Sequence, residues 1–212
     1  MPWGILTLIL IVALGGNAMA DSLDDAAERF RALTTYQLTI RATAADGERQ
    51  VIRYFYRKPG WVRMDFIQPH SGMVVIFDPV VRKVRLWPFG LNRAPALRLG
   101  AGNPLLRSRS GQRIDRSDIG ALLTNLQELR ACGSMMQLGE SALAARAAIG
   151  LDIVGSGTAV VAGVHRYRVW LATASMFPLR VESFDVDGAM VETVEMADVE
   201  IDVPFDERLF AP

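Results

Sequence analysis

Histidine and cysteine, which often carry out covalent or metal chemistry, are rare in this sequence and far apart. His70 and His165 are the only histidines, and they lack the i, i+4 spacing with which a helix presents two imidazoles to a metal ion. Cys132 is the only cysteine, so one chain cannot form an internal disulfide or a cysteine cluster for zinc. We therefore expect no histidine-based metal centre, and we expect Cys132 to be a buried apolar residue.

The motifs of nucleophilic and nucleotide-dependent enzymes are also absent from the sequence. No Gly-x-Ser-x-Gly or Ser-x-x-Lys motif supplies an activated serine, and Gly155-Ser156-Gly157 is too short to count as one. The only lysines, Lys58 and Lys83, do not follow the glycine spacing of a phosphate-binding loop. We therefore expect a protein that is not an enzyme and that uses no cofactor.

Carboxylates could still form a catalytic pair of the kind that glycosidases use, but their pattern argues against it. In the acidic C-terminal region, after about Asp185, acids alternate with apolar residues as they do on strands with one solvated face. We therefore expect these acids to face solvent.

The composition indicates an ordinary globular protein. The chain has 212 residues, of which 50% are hydrophobic and 22% are charged, and its formal net charge is zero. These values fit one globular domain. Because a neutral chain has no global field that attracts nucleic acid, we expect no nucleic-acid partner.

Residues 1–20 have the pattern of a secretory signal. An apolar run from Ile5 to Leu14 precedes Ala18-Met19-Ala20, a small-x-small cleavage pattern. We predict a signal peptide over residues 1–20, a single mature domain over residues 21–212, and a periplasmic location. The n-region lacks Lys and Arg, so an uncleaved segment that anchors the protein to the inner membrane is the alternative.

Two segments have the apolar period of amphipathic helices. The first begins near Ser22, at a sequence that resembles a capping box, and continues to Leu33. The second begins after Ser117, as its N-cap, and continues to about Arg130. An alanine-rich stretch near Ser141 could be a weaker helix or equally the entry to a strand.

Alternation of apolar and polar residues predicts antiparallel strands through most of the remaining chain. Asp46-Gly47 and Asp187-Gly188 are typical hairpin turns, and the strands of the first half should form a meander. The predicted strands fall within residues 36–41, 52–57, 62–66, 73–77, 84–87, 167–171, 179–181 and 189–201.

Residues 88–116 interrupt this pattern with repeated Gly and Pro. The segment holds six arginines against one acid, Asp115. We expect a long mobile loop. Its arginines, from Arg93 to Arg116, could meet anionic headgroups or an acidic partner, or could simply be solvated.

The strand pair that begins at residue 54 carries a resemblance to a known family. Its sequence, Tyr-Phe-Tyr-Arg-Lys-Pro-Gly-Trp-Val-Arg-Met-Asp-Phe, is followed by Gln68-Pro69 and a Val-Val-Ile-Phe-Asp strand. Trp87-Pro88 matches the aromatic residue and proline that end a second strand pair. In these features the chain resembles the bacterial outer-membrane lipoprotein carrier (LolA/LolB-like) superfamily.

The resemblance implies an α+β fold, rich in β-structure, in which a curved antiparallel incomplete β-barrel is closed by a helical lid. Its cavity would receive the acyl chains of lipoproteins or another lipid, with an inner- or outer-membrane transfer partner, and we expect a monomer. The basic residue that gates the family's cavity before a proline corresponds to Lys58, which can donate to a helix carbonyl but lacks the planar fork of arginine. The candidate cavity residues are Ile52, Tyr54, Tyr56, Val62, Met64, Phe66, Val75, Phe77 and Tyr167.

Two questions stay open at this stage. The alternating pattern alone does not decide whether the apolar face encloses a cavity or is filled by its own side chains. The alternative function is a non-catalytic regulatory or protein-interaction module of the cell envelope. In that case the cavity is vestigial and the arginine-rich segment binds a protein.

Overall fold

Eleven antiparallel strands form one sheet in the computed structural model, which describes residues 18–91, 93, 95–106 and 113–211. Two helices accompany the sheet, α1 (Ala18–Ala32) and α2 (Ile119–Ala131). The predicted signal peptide lies outside the described residues except for its last three. The strands are β1 (Thr35–Ala44), β2 (Arg49–Arg57), β3 (Trp61–Gln68), β4 (Val74–Asp78), β5 (Lys83–Trp87), β6 (Leu97–Gly100), β7 (Gly133–Leu143), β8 (Arg146–Gly155), β9 (Arg166–Ala172), β10 (Pro178–Phe184) and β11 (Met190–Ile201).

The strand order brings the two ends of the sequence together. Along the sheet the order is β6-β5-β4-β3-β2-β1-β11-β10-β9-β8-β7. An N-terminal meander (β1–β6) and a C-terminal meander (β7–β11) therefore join where β1 pairs with β11, a junction that we call the seam. Because β6 and β7 are separate edges, the sheet is not closed, and the predicted incomplete barrel with a helical lid is confirmed.

Both helices pack on one face of the sheet, which we call the inner face. Leu126 and Leu129 of α2 and Leu23 of α1 are fully buried, and they share one core with Leu151 and Val169 of the sheet. This packing covers the apolar stripe that the sequence predicted on each helix.

The two helices approach each other closely at Gly120. A Cβ atom at this position would lie 2.4 Å from a ring carbon of Phe30 on α1, so a larger residue does not fit without a shift. Farther along α2, Arg130 and Gln127 each donate to Asp24 of α1 at 3.0 Å. The hydrogen bond from Arg130 lowers the pKa of the Asp24 carboxyl.

The end of the chain crosses the outer face of the N-terminal meander. Phe210 is fully buried there in a second core that includes Phe55 and Ile76, whose sequence neighbours point to the inner face. Arg63 donates to the carbonyl of Leu209 at 2.8 Å, and the Arg57 guanidinium lies 4.7 Å from the centre of the Phe210 ring. The N-terminal meander is therefore covered on both faces.

The helix starts differ from those predicted. Helix α1 begins before Ser22, so the predicted capping box lies inside it. The N-cap of α2 is Asp118, whose side chain accepts from the backbone N–H of Ala121 at 3.1 Å. Ser117 instead donates to the carbonyl of Ile114, and Cys132 is exposed rather than buried.

Residues 88–116 are not one loop. Leu97–Gly100 forms β6, which pairs with β5, and short 3-10 turns occupy Pro104–Leu106 and Ile114–Arg116. The strand has only four residues among glycines and prolines, which is too few for an alternating pattern to stand out. Residues 107–112, with two of the six arginines, lie outside the described residues.

The ambiguous stretch near Ser141 is strand rather than helix. It belongs to β7, which pairs with β8 from Gly133 opposite Gly155 to Leu143 opposite Arg146. Because most of β8 is buried on both faces, its apolar residues do not alternate with polar ones.

Candidate lipid-binding cavity

A cavity of about 170 Å³ lies at the seam, between the sheet and the start of α2. Strand register explains its sheet wall, because side chains directly opposite each other on paired strands share a face. Ala42 on β1 is opposite Val194 on β11, which is opposite Val181 on β10. The apolar lining comprises Leu38, Ile40, Ala42, Ile119, Leu122, Val181, Val194 and Met196, together with the rings of Tyr36, Tyr54 and Tyr167.

One row of this wall is polar. Glu192 on β11 is opposite Ser183 on β10, and Ser183 is opposite Tyr167 on β9. All three line the cavity. The sequence predicted that the acids after about Asp185 face solvent. This prediction is wrong for Glu192, which shares the inner face with Val194 and lines the cavity.

Two tyrosines on the cavity wall hold the first turn of α2. The Tyr36 hydroxyl accepts from the backbone N–H of Ile119 at 3.2 Å, and the Tyr54 hydroxyl donates to the Ser117 carbonyl at 3.3 Å. Their rings stack with centroids 5.9 Å apart. Burial holds the pKa of both phenols above the usual value and raises the pKa of neighbouring Tyr56 to about 12, so all three stay neutral at physiological pH.

Helix α1 is held at its C-terminal end by Lys58, the predicted gating residue. The Lys58 ammonium donates to the carbonyl of Arg31, in the last turn of α1. A cation at this position also suits the negative end of a helix dipole. The contact has the form that the sequence predicted, and its role as a gate stays a prediction.

Of the nine predicted cavity residues, only Tyr54 and Tyr167 line the seam cavity. The other seven lie on β2, β3 and β4 of the N-terminal meander, where five are buried and two are partly buried. Most of them belong to or pack against the core beneath the helices, and none lines the seam cavity. They are Ile52, Tyr56, Val62, Met64, Phe66, Val75 and Phe77.

Among its described residues, the arginine-rich segment approaches the site at Arg116. Arg116 borders the seam cavity, whereas Arg113 and Arg82 pair with Asp115 at 2.8 and 3.1 Å. Contact of this segment with headgroups or an acidic partner stays a prediction.

A second recess lies on the far side of Ile119. It has a volume of about 280 Å³ and is bounded by α1, Leu123 of α2, and Phe177. Because Ile119 borders both spaces, the first turn of α2 separates them.

Neither a metal centre nor a membrane-spanning helix is found in the part of the chain that the structure describes. No three His, Cys, Asp or Glu side chains there are grouped closely enough to hold a metal ion. None of its helices combines the length and the apolar character needed to cross a bilayer.

The fold resembles solved structures, although no protein-family model and no curated protein matches the chain. An uncharacterized conserved protein from Thermus thermophilus has a TM-score of 0.56 at 14% identity, covering 91% of this chain and 93% of that one. Mycobacterium tuberculosis lipoprotein LppX gives 0.55 at 11% identity, with 90% and 98% covered. MucB in complex with MucA(peri) gives 0.53 at 16% identity, with 92% and 59% covered.

The chain has the LolA-like fold. The architecture that the sequence resemblance implied, an incomplete antiparallel barrel with a helical lid, is confirmed. The chain spans 59% of the MucB chain that it matches.

Proposed function

We propose that the protein is a non-catalytic carrier that binds the acyl chain of a lipid or lipoprotein in the seam cavity. The observation that supports this most is the cavity itself, which combines an apolar wall with a helical roof. Burial of a chain in such a site is favourable by about 0.8 kcal/mol for each methylene group.

Binding of a whole acyl chain requires movement of α2. The seam cavity of about 170 Å³ is smaller than the roughly 300–1,000 Å³ of common ligand pockets. Displacement of Ile119 would join it to the recess of about 280 Å³ beside α1. We propose that α2 is the moving part of the lid, and that Lys58 restrains α1 as a gate.

The test is displacement of Nile red, a neutral dye that fluoresces in apolar sites, from the full chain by monoacylglycerols of increasing chain length. Affinity should rise roughly fourfold for each added methylene until the site is full. Ala42→Phe, which fills the seam cavity, should weaken binding at least about tenfold. Ala142→Phe, at an exposed position of β7, is the matched control. Equal binding by the wild type and Ala42→Phe would contradict the proposed site.

We further propose that residues 1–20 are a cleaved export signal and that the protein works as a periplasmic monomer. The envelope setting fits the likeness to LppX, which is a lipoprotein. The intact mass of the protein from its host should correspond to a chain that begins at Asp21. A mass that includes residues 1–20 would support the anchored alternative.

A protein-interaction module is the second candidate. It is favoured by edge strand β7, on which Met136 and Leu138 are 57% and 42% exposed, since exposed apolar edges are common sites of strand pairing between chains. The matched MucB structure, in which MucB is in complex with MucA(peri), gives a precedent within the fold. Failure of the chain to bind any acylglycerol, together with loss of partner binding in Leu138→Lys, would favour this candidate.

A further inference from the structure

We infer that the protein docks on an anionic lipid bilayer through the turn between β4 and β5, residues 79–82, and the exposed arginines beside it. Val80 and Val81 enter the interfacial region of the bilayer, and Arg82, Arg113 and Arg116 contact lipid phosphates. This inference goes beyond the proposed function, because docking on a bilayer does not depend on what the seam cavity holds.

The β4–β5 turn presents two adjacent apolar side chains to solvent. Val80 is 75% exposed, more than any other large apolar side chain among the described residues, and Val81 is 58% exposed. Tight turns favour Gly, Pro, Asn, Asp and Ser, so the turn itself gains nothing from two valines. Exposed apolar groups next to cations are a feature of surfaces that bind the membrane interface.

Hydrogen bonds within the turn fix the backbone that carries the two valines. The Asp78 carboxylate accepts from the backbone N–H of Val80 at 2.9 Å and of Val81 at 3.4 Å. Arg82 follows with a φ of 51°, in the left-handed region that glycine adopts more readily than arginine. The turn is therefore already ordered before it docks, which lowers the entropic cost of binding.

The charge exposed around the turn is positive. Residues 79–114 contain eight basic residues and no acid, so an approaching anionic surface meets cations along this stretch. The Arg82 side chain is 71% exposed, and Arg113 and Arg116 are exposed too. Guanidinium groups can bind the phosphate oxygens of lipids through two parallel hydrogen bonds.

The neighbouring acids add little negative charge to this surface. The side chain of Asp115 is only 8% exposed, and it binds Arg113 and Arg82. Asp118 accepts from the backbone N–H of Ala121 as the N-cap of α2. These carboxylates hold the protein's own groups in place, and the guanidinium groups remain on the outside.

The position of the turn connects docking to the lid. A recess of about 380 Å³ lies between the turn and the residues that precede α2, and Pro79, Arg82, Arg116 and Asp118 border it. Arg116 and Asp118 also border the seam cavity, and α2 begins at Ile119. A bilayer in contact with the turn therefore lies beside the first turn of α2.

The turn between β10 and β11 offers a comparison within the same molecule. Val186 in this turn is 45% exposed, but it lies between Asp185 and Asp187. An anionic bilayer repels these carboxylates. Charge complementarity therefore assigns the bilayer to the β4–β5 turn.

The test is flotation of the protein, purified from its host, with vesicles of equal parts phosphatidylcholine and phosphatidylglycerol or of phosphatidylcholine alone. The wild type should bind the anionic vesicles more tightly, and added salt should remove the difference. Val80→Ser combined with Val81→Ser should weaken binding to the anionic vesicles about tenfold. Arg82→Gln should weaken it roughly fivefold. The matched controls Val186→Ser and Arg146→Gln, at exposed positions of the C-terminal meander, should bind as the wild type does.

A fluorescent label reports on the turn itself, whatever else in the chain contacts the vesicles. Because Cys132 is the only cysteine and is exposed, the label is introduced in a Cys132→Ser background. An environment-sensitive dye on the cysteine of Val81→Cys should shift its emission to shorter wavelengths on the anionic vesicles. The same dye on the cysteine of Val186→Cys should not.

Three results would each overturn the inference. They are equal binding of the wild type to both kinds of vesicle, wild-type binding by the double serine variant, and unchanged emission from the dye at residue 81. The turn would then fit an acidic protein partner better than a bilayer. Circular dichroism checks that the variants fold. Displacement of Nile red measures acyl-chain binding separately, so a failure of the carrier function is distinguished from a failure of docking.

Discussion

The inner faces of the two meanders and of the seam between them are all apolar, but the seam leaves a cavity between the sheet and the start of α2. In the N-terminal meander the inner positions hold large side chains such as Tyr56 and Phe77, which fill the core. At the seam the corresponding positions hold Ala42, Val181 and Val194. This difference indicates that side-chain size on particular strands determines where the cavity lies. The apolar pattern, which all these strands share, does not determine it.

The outer faces differ as well. The N-terminal meander is covered by the chain's own end, with Phe210 buried against it. The outer face of the C-terminal meander instead carries ion pairs, in which Arg166 binds Asp152 and Arg180 binds Glu182. Asp152 and Glu182 are buried beneath these arginines.

The largest expected effect tests the contrast between the filled meander and the seam. Phe77→Ala removes a buried ring from the filled core and should lower the free energy of unfolding by about 3–5 kcal/mol. Val194→Ala, at the partly open seam, should cost roughly 1 kcal/mol. Urea unfolding followed by circular dichroism measures both. Equal losses would mean that the seam is packed as tightly as the meander.

A smaller effect concerns the attachment of α2 to the seam. Tyr36→Phe removes the acceptor of the Ile119 N–H and should destabilise the first turn of α2 by about 1 kcal/mol. Hydrogen exchange should then accelerate severalfold at Ile119 and its neighbours, with little change in β9. Uniform acceleration throughout the chain would show that the hydroxyl supports the whole fold and not the lid.

The hydrogen bond from Lys58 to the end of α1 should contribute less to stability than the hydrogen bond from α2 to Tyr36. Lys58→Met removes a half-exposed donor to the end of α1 and should cost roughly 0.5 kcal/mol, with faster release of a bound acylglycerol in stopped-flow displacement. The matched control is Lys83→Met, which changes the only other lysine at an exposed position of β5. Release rates unchanged by Lys58→Met would contradict the gating role.

The smallest effect is a pH dependence of the contact between the helices. Since Arg130 lowers the pKa of Asp24 in the folded protein, the pair stabilises the fold above the unfolded pKa of about 3.9, and this contribution is lost as pH falls through the folded value. The Asp24 side chain is half exposed, so solvent screening limits the contribution to a few tenths of a kcal/mol. The loss of stability between neutral and acidic pH should be slightly smaller in Asp24→Asn than in the wild type. An identical pH profile in the two proteins would contradict this pairing.

The fold was largely predictable from sequence because most strands bury one face. Their alternation located the N-terminal strands and the long β11, and the turns at Asp46-Gly47 and Asp187-Gly188 separate paired strands as expected. Strand β8 was not predicted, because burial on both faces removes the alternation of apolar and polar residues. Its alanines also resemble those of a helix.

The site was less predictable because it depends on long-range pairing. Nothing near Ala42 in the sequence indicates that β11 will lie beside it, and that pairing creates the seam. The family resemblance drew attention to β2, β3 and β4, where the motif lies, whereas most of the strand residues in the cavity wall belong to β1, β9, β10 and β11. Glu192 could have been found, since it alternates in step with Val194 and Met196, but carboxylates on strands usually face solvent.

Native mass spectrometry of the full protein, purified from its host without detergent, tests the central claim most directly. We predict one acyl-bearing molecule per chain, which lipid extraction would identify and which Ala42→Phe would lack. A wild-type protein that is empty, and that also fails to take up added 1-palmitoylglycerol, would contradict the account of the seam as a lipid-binding cavity.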